Sequence, residues 1–75
     1  MLDISRMTSV NYQLSEAFHK KYGHLYDHAV KMFMRNGGIV EGVFCDEFFE
    51  DGSILVSGSE IMFIKIADIE RVEPA

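Results

Sequence analysis

Val30-Lys31-Met32-Phe33-Met34-Arg35-Asn36-Gly37-Gly38-Ile39-Val40-Glu41-Gly42-Val43-Phe44 is the stretch that decides the fold. Val30, Met32 and Met34 alternate with Lys31, Phe33 and Arg35. Neighbouring side chains of an extended strand point to opposite faces, so the alternation describes a strand with one buried face. Asn36-Gly37 is a strong hairpin signal, because both residue types tolerate the positive φ of a type I′ turn, and Gly38 relaxes the turn further. A second strand is expected over residues 39–45. Gly42 lies in its middle, where a glycine marks a sharp bend or a close backbone approach. A small barrel needs such a bend to close its sheet.

Toward the C-terminus, Asp46-Glu47-Phe48-Phe49-Glu50-Asp51-Gly52 is acidic, ends in a turn dipeptide and reads as a loop. Residues 53–57 form a short third strand, Gly58-Ser59 turns it, and residues 61–65 form a fourth. Ile66, Ile69 and Val72 recur every third residue, which fits one 3₁₀ turn leading into a closing strand that Pro74 ends. Toward the N-terminus, Leu14, Phe18, Tyr22, Leu25 and Ala29 recur at helical spacing. Thr8, Ser9 and Asn11 are candidate N-caps, and Glu16 with Lys20 makes a favourable i,i+4 pair. Gly23 either ends this helix in a left-handed cap or weakens it from within. The expected organisation is one domain over residues 1–75: a loose arm over 1–9, a helix over 10–27 and a small barrel over 29–73. The fold class is α+β, mostly β.

Seventy-five residues with 48% hydrophobic content make a thin-cored globular domain and exclude a disordered chain. The longest apolar run, Ile61-Met62-Phe63-Ile64, is far short of the roughly 20 residues of a spanning helix. The first residues lack the basic start and apolar core of a signal peptide. A single cysteine, Cys45, excludes an internal disulfide. Together these features lead us to expect a cytoplasmic protein without a membrane anchor.

The net charge of −5 is unevenly spread. Residues 1–35 carry five Lys and Arg against three Asp and Glu, whereas residues 36–75 carry two against nine. Nucleic-acid surfaces have the opposite sign, because phosphate neutralisation supplies most of their affinity. The acidic half is either a solvated face that maintains solubility or a docking face for a basic partner.

The order of strand, turn with Gly, strand with a central Gly, loop, short strand, strand and Asp68-Ile69-Glu70-Arg71-Val72 resembles the SH3-like and Sm-like small barrels. The resemblance covers residues 12–73 at superfamily level and implies a strongly bent five-stranded antiparallel barrel behind an N-terminal helix. Sm-like proteins generally form rings that bind RNA, and one bacterial relative with a single barrel inhibits a transcription terminator protein. Sm-type RNA sites use an Asp and an Asn before the third strand and an Arg-Gly near the fourth. This chain has Asp46 but no Asn in that loop, and Lys65-Ile66 stands where the Arg-Gly is wanted.

No constellation for catalysis is visible. His24 and His28 would share a face only on a continuous helix, and nothing completes a tetrahedral metal set, so we read them as surface or partly packed histidines. Cys45 stands beside Asp46 and Glu47, which raise a thiol pKa and so disfavour the thiolate; it reads as a small core residue. The acidic loop lacks the spacing of a calcium loop, and Gly37-Gly38 is not followed by the Lys-Ser or Lys-Thr of a phosphate loop. No nucleophile, base and oxyanion site come together. We therefore expect a non-enzyme without a metal or other cofactor.

Phe48 and Phe49 are the informative pair. Adjacent strand residues point to opposite faces, so one belongs to the core and the other is exposed beside the carboxylates, unless the loop folds over both. The expected interface is Asp46, Glu47, Phe48, Phe49, Glu50 and Asp51, and the expected function is a small regulatory module that binds a basic protein partner. The alternative is an Sm-like subunit that assembles through its edge strands and binds RNA. Homo-oligomers are compatible with either.

Overall fold

The computed structural model describes residues 9–75; the expected N-terminal arm lies almost wholly outside them. Helix α1 spans Ser9–Tyr22, and a 3₁₀ turn follows over Gly23–Leu25. Strands β1 (Ala29–Met34), β2 (Ile39–Phe48), β3 (Ser53–Ser57) and β4 (Ile61–Lys65) come next. A second 3₁₀ turn, Ile66–Asp68, leads into β5, Ile69–Pro74. The sheet is antiparallel in the order β4-β3-β2-β1-β5. This is the expected helix followed by a five-stranded antiparallel sheet. The sheet stays open, with β4 and β5 as its two edges. No helix among the described residues is long and apolar enough to cross a membrane.

Alternation sorts the strands as expected. Val30, Met32, Phe44, Ile54, Val56, Ile69 and Val72 face the core. Phe18 on α1 is buried with them, and its ring meets Phe44 at 5.4 Å and Phe48 at 6.2 Å between centroids. Phe18, with Leu14 and Tyr22 packed beside it, fastens the helix onto the sheet. Burial of an aromatic of this size is worth a few kcal/mol, a large share of a small domain's stability. On the opposite side of α1, Glu16 pairs with Lys20 at 3.3 Å as its spacing requires.

Several local expectations need correction. Gly23 lies outside the left-handed region; the described non-glycine residue with positive φ is Asp27, at 65°, in the turn before β1. The α-helix ends at Tyr22, and the further turn over Gly23–Leu25 is 3₁₀. Ala29, expected on the helical stripe, is instead an exposed residue of β1. Asn11 lies within α1, and its side chain reaches the turn after β2. The Asn36-Gly37 turn is not type I′, because only Gly37 has positive φ, at 94°. The Gly37 N–H donates to Met34 O at 3.0 Å and the Met34 N–H to Gly38 O at 2.8 Å. That pattern is a three-residue hairpin loop whose last residue takes the left-handed conformation. Pro74 belongs to β5, and the Ala75 N–H still bonds Ala29 O, so pairing runs one residue past the proline.

Gly42 does what a mid-strand glycine is expected to do. A Cβ there would lie 2.7 Å from Ser57 O and 2.8 Å from Val56 Cγ1. Strand β3 therefore lies across β2 too closely for any side chain at this position. Further along, β2 carries a bulge: Phe44 pairs with Val56 but Phe48 pairs with Ile54. Four steps along β2 match two along β3, so two extra residues are accommodated between Phe44 and Phe48. The even number keeps both phenylalanines facing inward.

Candidate functional site

The acidic segment is strand as far as Phe48, not loop. Cys45, Asp46 and Glu47 form the β2 bulge, and only Phe49 to Gly52 make the turn into β3. Composition suggested a loop; the segment instead stays extended as a bulge between the paired, inward-facing Phe44 and Phe48. Phe48 is 7% exposed and supports the site from beneath, so it is not a residue that a partner could touch. Phe49, one residue on, turns to the outer face and is 37% exposed. The opposition of the two phenylalanines is thus realised.

Phe49 does not stand alone. Its ring meets Phe63 of β4 edge-on, at 5.2 Å and 71° between planes. Phe63 is 62% exposed and Ile61 67%. Across the sheet Val43 pairs with Ser57 and Ser57 with Ile61, while Leu55 pairs with Phe63. Val43, Leu55, Ile61, Phe63 and Phe49 therefore line one outer face of β2, β3 and β4. The exposed carboxylate residues Glu41, Glu47, Glu50, Asp51 and Glu60 come from the same three strands and the turns joining them. Ile61, Phe63, Val43 and Leu55 were missed from the sequence. Their signal was present: Ile61-Met62-Phe63-Ile64 is apolar on both strand faces, where a strand with one solvated face alternates.

The hairpin that carries Phe49 is held from several directions. The Phe49 N–H donates to Ser53 O at 2.9 Å, and the Gly52 N–H to Phe49 O at 3.0 Å. Gly52 has φ of 85°. Asp51 Oδ1 accepts from the Ser53 N–H at 3.0 Å and from the Ser53 hydroxyl at 2.6 Å. These bonds, with Lys65 nearby, hold the Asp51 carboxyl below the ordinary aspartate range. Lys65 Nζ donates to Asp51 O at 3.0 Å and lies 3.8 Å from its Oδ2. From the helix, Asn11 Nδ2 donates to Glu50 O at 2.9 Å. The Ile66 N–H donates to Gly52 O at 3.0 Å. Asp51 is thus a structural member of the turn.

The bulge has its own neighbours. Tyr26 packs edge-on against Phe44 at 5.6 Å and hydrogen-bonds His19 Nδ1 at 2.6 Å. Burial first, then the negative charges of Asp46 and Cys45, pushes the Tyr26 hydroxyl up to about 12. Cys45 is half-buried rather than a core residue, and its thiol donates to Glu47 Oε1 at 3.6 Å. Burial and then the Glu47 charge push this thiol upward, away from the reactive thiolate. His24 and His28 are both exposed and lie beyond the end of α1, so they do not share a helical face. Among the described residues no group of three or more His, Cys, Asp or Glu could hold a metal ion.

Comparison with protein-family models and with curated protein sequences finds no match. What the outer face can do chemically is bury aromatic and aliphatic surface against another macromolecule while its carboxylates select for positive charge.

Proposed function

We propose that this protein is a small non-enzymatic regulatory module that binds a protein partner through the outer face of β2–β4. The observation that carries the reading is the exposed Phe49–Phe63 pair, on strands and turns that also carry the exposed Glu41, Glu47, Glu50, Asp51 and Glu60. Aromatic residues anchor interfaces, and rim charges steer encounter and select partners. The carboxylates favour a partner with a basic surface, as nucleic-acid-binding proteins have, and occupying such a surface would inhibit it. The aromatic pair rests on a hairpin fixed from α1 and β4, so little ordering cost accompanies binding.

Two features weigh against the RNA-binding alternative. The β-rich half is strongly acidic, and Lys65, at the position where the resemblance wants an arginine, is engaged with Asp51.

The test is affinity capture from the native host, followed by titration of the captured partner with variants. Phe49→Ala and Phe63→Ala should each weaken binding by roughly tenfold or more. Glu47→Lys with Glu50→Lys should slow association and reduce its dependence on salt. Melting temperatures should remain near that of the parent protein for the two glutamate replacements. Asp51 is left intact because replacing it would loosen the turn itself. Undiminished binding by both phenylalanine variants would show that this face is not the interface.

A further inference from the structure

The chain has two asparagines, Asn11 and Asn36, and the fold treats them differently. Asn11 lies within α1, its Nδ2 donates to Glu50 O at 2.9 Å, and the bulky Tyr12 follows it. Asn36 is exposed at the tip of the β1–β2 hairpin, and Gly37 follows it. An asparagine is chemically labile when the backbone nitrogen of the next residue can reach its side-chain carbonyl carbon and close a ring. A side chain on that next residue crowds the approach, and glycine has none. Beyond its two chain neighbours, no described atom stands within 4 Å of where a Gly37 Cβ would be, so the approach is open.

The hairpin also polarises the carbonyl under attack. Asn36 Oδ1 accepts from the Gly38 N–H at 2.9 Å. Attack on Cγ puts negative charge on Oδ1, and an N–H already aimed at a developing oxyanion lowers the barrier. The nucleophile is restrained by one hydrogen bond, from the Gly37 N–H to Met34 O at 3.0 Å. That bond belongs to the exposed tip. The base is held separately: the Met34 N–H donates to Gly38 O, and Arg35 donates from its amide to Asp68 O and from Nε to Ala67 O. Opening of the tip therefore frees the Gly37 nitrogen without unfolding the sheet.

We infer that Asn36 is a site of spontaneous deamidation in the folded protein. The Gly37 nitrogen, its proton taken by hydroxide, attacks Asn36 Cγ. The N–Cγ bond forms, the Cγ–Nδ2 bond breaks, and the amide nitrogen leaves as ammonia with a proton from water, which regenerates the hydroxide. Water then opens the resulting succinimide. Hydrolysis at Cγ leaves an ordinary aspartate. Hydrolysis at the main-chain carbonyl leaves an isoaspartate, in which the chain runs through Cβ and Cγ. Either product adds one negative charge to the net −5. The aspartate keeps an acceptor for the Gly38 N–H. The isoaspartate adds a methylene to the chain between Met34 and Gly38, whose bond closes the loop. The inference is independent of the partner reading, since the chemistry needs only water and this hairpin.

The test is incubation of the full chain at neutral and mildly alkaline pH, followed by peptide mapping with a fragmentation method that distinguishes the two acids. Asn36 should convert to both acids while Asn11 stays intact, and the rate should rise with pH. Gly37→Ala should slow conversion by on the order of tenfold, because its methyl group crowds the attack. Asn36→Gln should stop conversion over the same period, since its ring closure is slower. The separated isoaspartyl form should melt below the parent protein and the aspartyl form close to it. Conversion of Asn36 no faster than that of Asn11 would overturn the inference. So would conversion seen only in denaturant, or a Gly37→Ala variant that converts as fast as the parent protein.

Discussion

The hairpins β1–β2 and β2–β3 share one local design in two different surroundings. Each has a three-residue loop ending in a glycine of positive φ, 94° at Gly37 and 85° at Gly52. In each, the residue before the glycine accepts a bond from the amide two positions on: Asn36 Oδ1 from the Gly38 N–H at 2.9 Å, and Asp51 Oδ1 from the Ser53 N–H at 3.0 Å. Beyond the turn they diverge. Beyond its two chain neighbours, no described atom lies within 4 Å of a Cβ built at Gly37, whereas one at Gly52 would meet Asn11 Oδ1 at 2.8 Å. The first hairpin is held at its base, where Arg35 donates from its amide to Asp68 O and from Nε to Ala67 O, both at 2.9 Å, while its tip at Asn36 and Gly37 is exposed. The second is braced by α1, Lys65 and Ile66, and it is the one that presents an exposed aromatic ring. Turn chemistry sets the shape of a hairpin, and its tertiary neighbours decide whether that shape can hold a binding surface still.

The sharpest way to break the comparison is at the two glycines. Gly52→Ala should cost about 2 kcal/mol in denaturant unfolding, combining backbone strain with loss of the displaced Asn11 hydrogen bond. In an Asn11→Ala background the same change should cost only about 1 kcal/mol, because only the strain remains. Gly37→Ala should likewise cost about 1 kcal/mol in either background. Equal costs at the two glycines in the parent protein would mean that the helix does not brace the second hairpin. The smallest effect concerns pH. The folded-state pKa of Asp51 is depressed, so its contribution to stability is present above the unfolded value of about 3.9 and is lost as pH falls through the lower folded value. Asp51→Asn should flatten the acid limb of the melting-temperature profile below about pH 4, whereas Asn36→Asp should not reproduce the Ser53 hydroxyl bond and should leave that limb nearly unchanged.

Much of the fold was legible because period and turn residues agree. Ser53–Ser57, Ile61–Lys65 and the 3₁₀ turn at Ile66–Asp68 fall where alternation, Gly58-Ser59 and the spacing of threes put them. The end of β2 was not legible. Asp46 and Glu47 have loop composition, and what keeps them in a strand is the burial of Phe44 and Phe48 against Phe18, a residue far away in the chain. The site was half legible for a related reason. Adjacent Phe48 and Phe49 had to diverge, and they do. That Phe63 meets Phe49 depends on the β3–β4 register, and an unbroken apolar run such as Ile61 to Ile64 gives no sign of which parity faces out.

The bulge in β2 also has a consequence for insertions and deletions. Because two surplus residues lie between Phe44 and Phe48, removing both would restore an unbroken ladder with each phenylalanine still facing inward. Removing one would turn Phe48 toward solvent and Phe49 toward the core, exchanging anchor and bait in a single step. Chain length in this segment is therefore counted in pairs, and parity, more than composition, is the property on which the exposed aromatic depends.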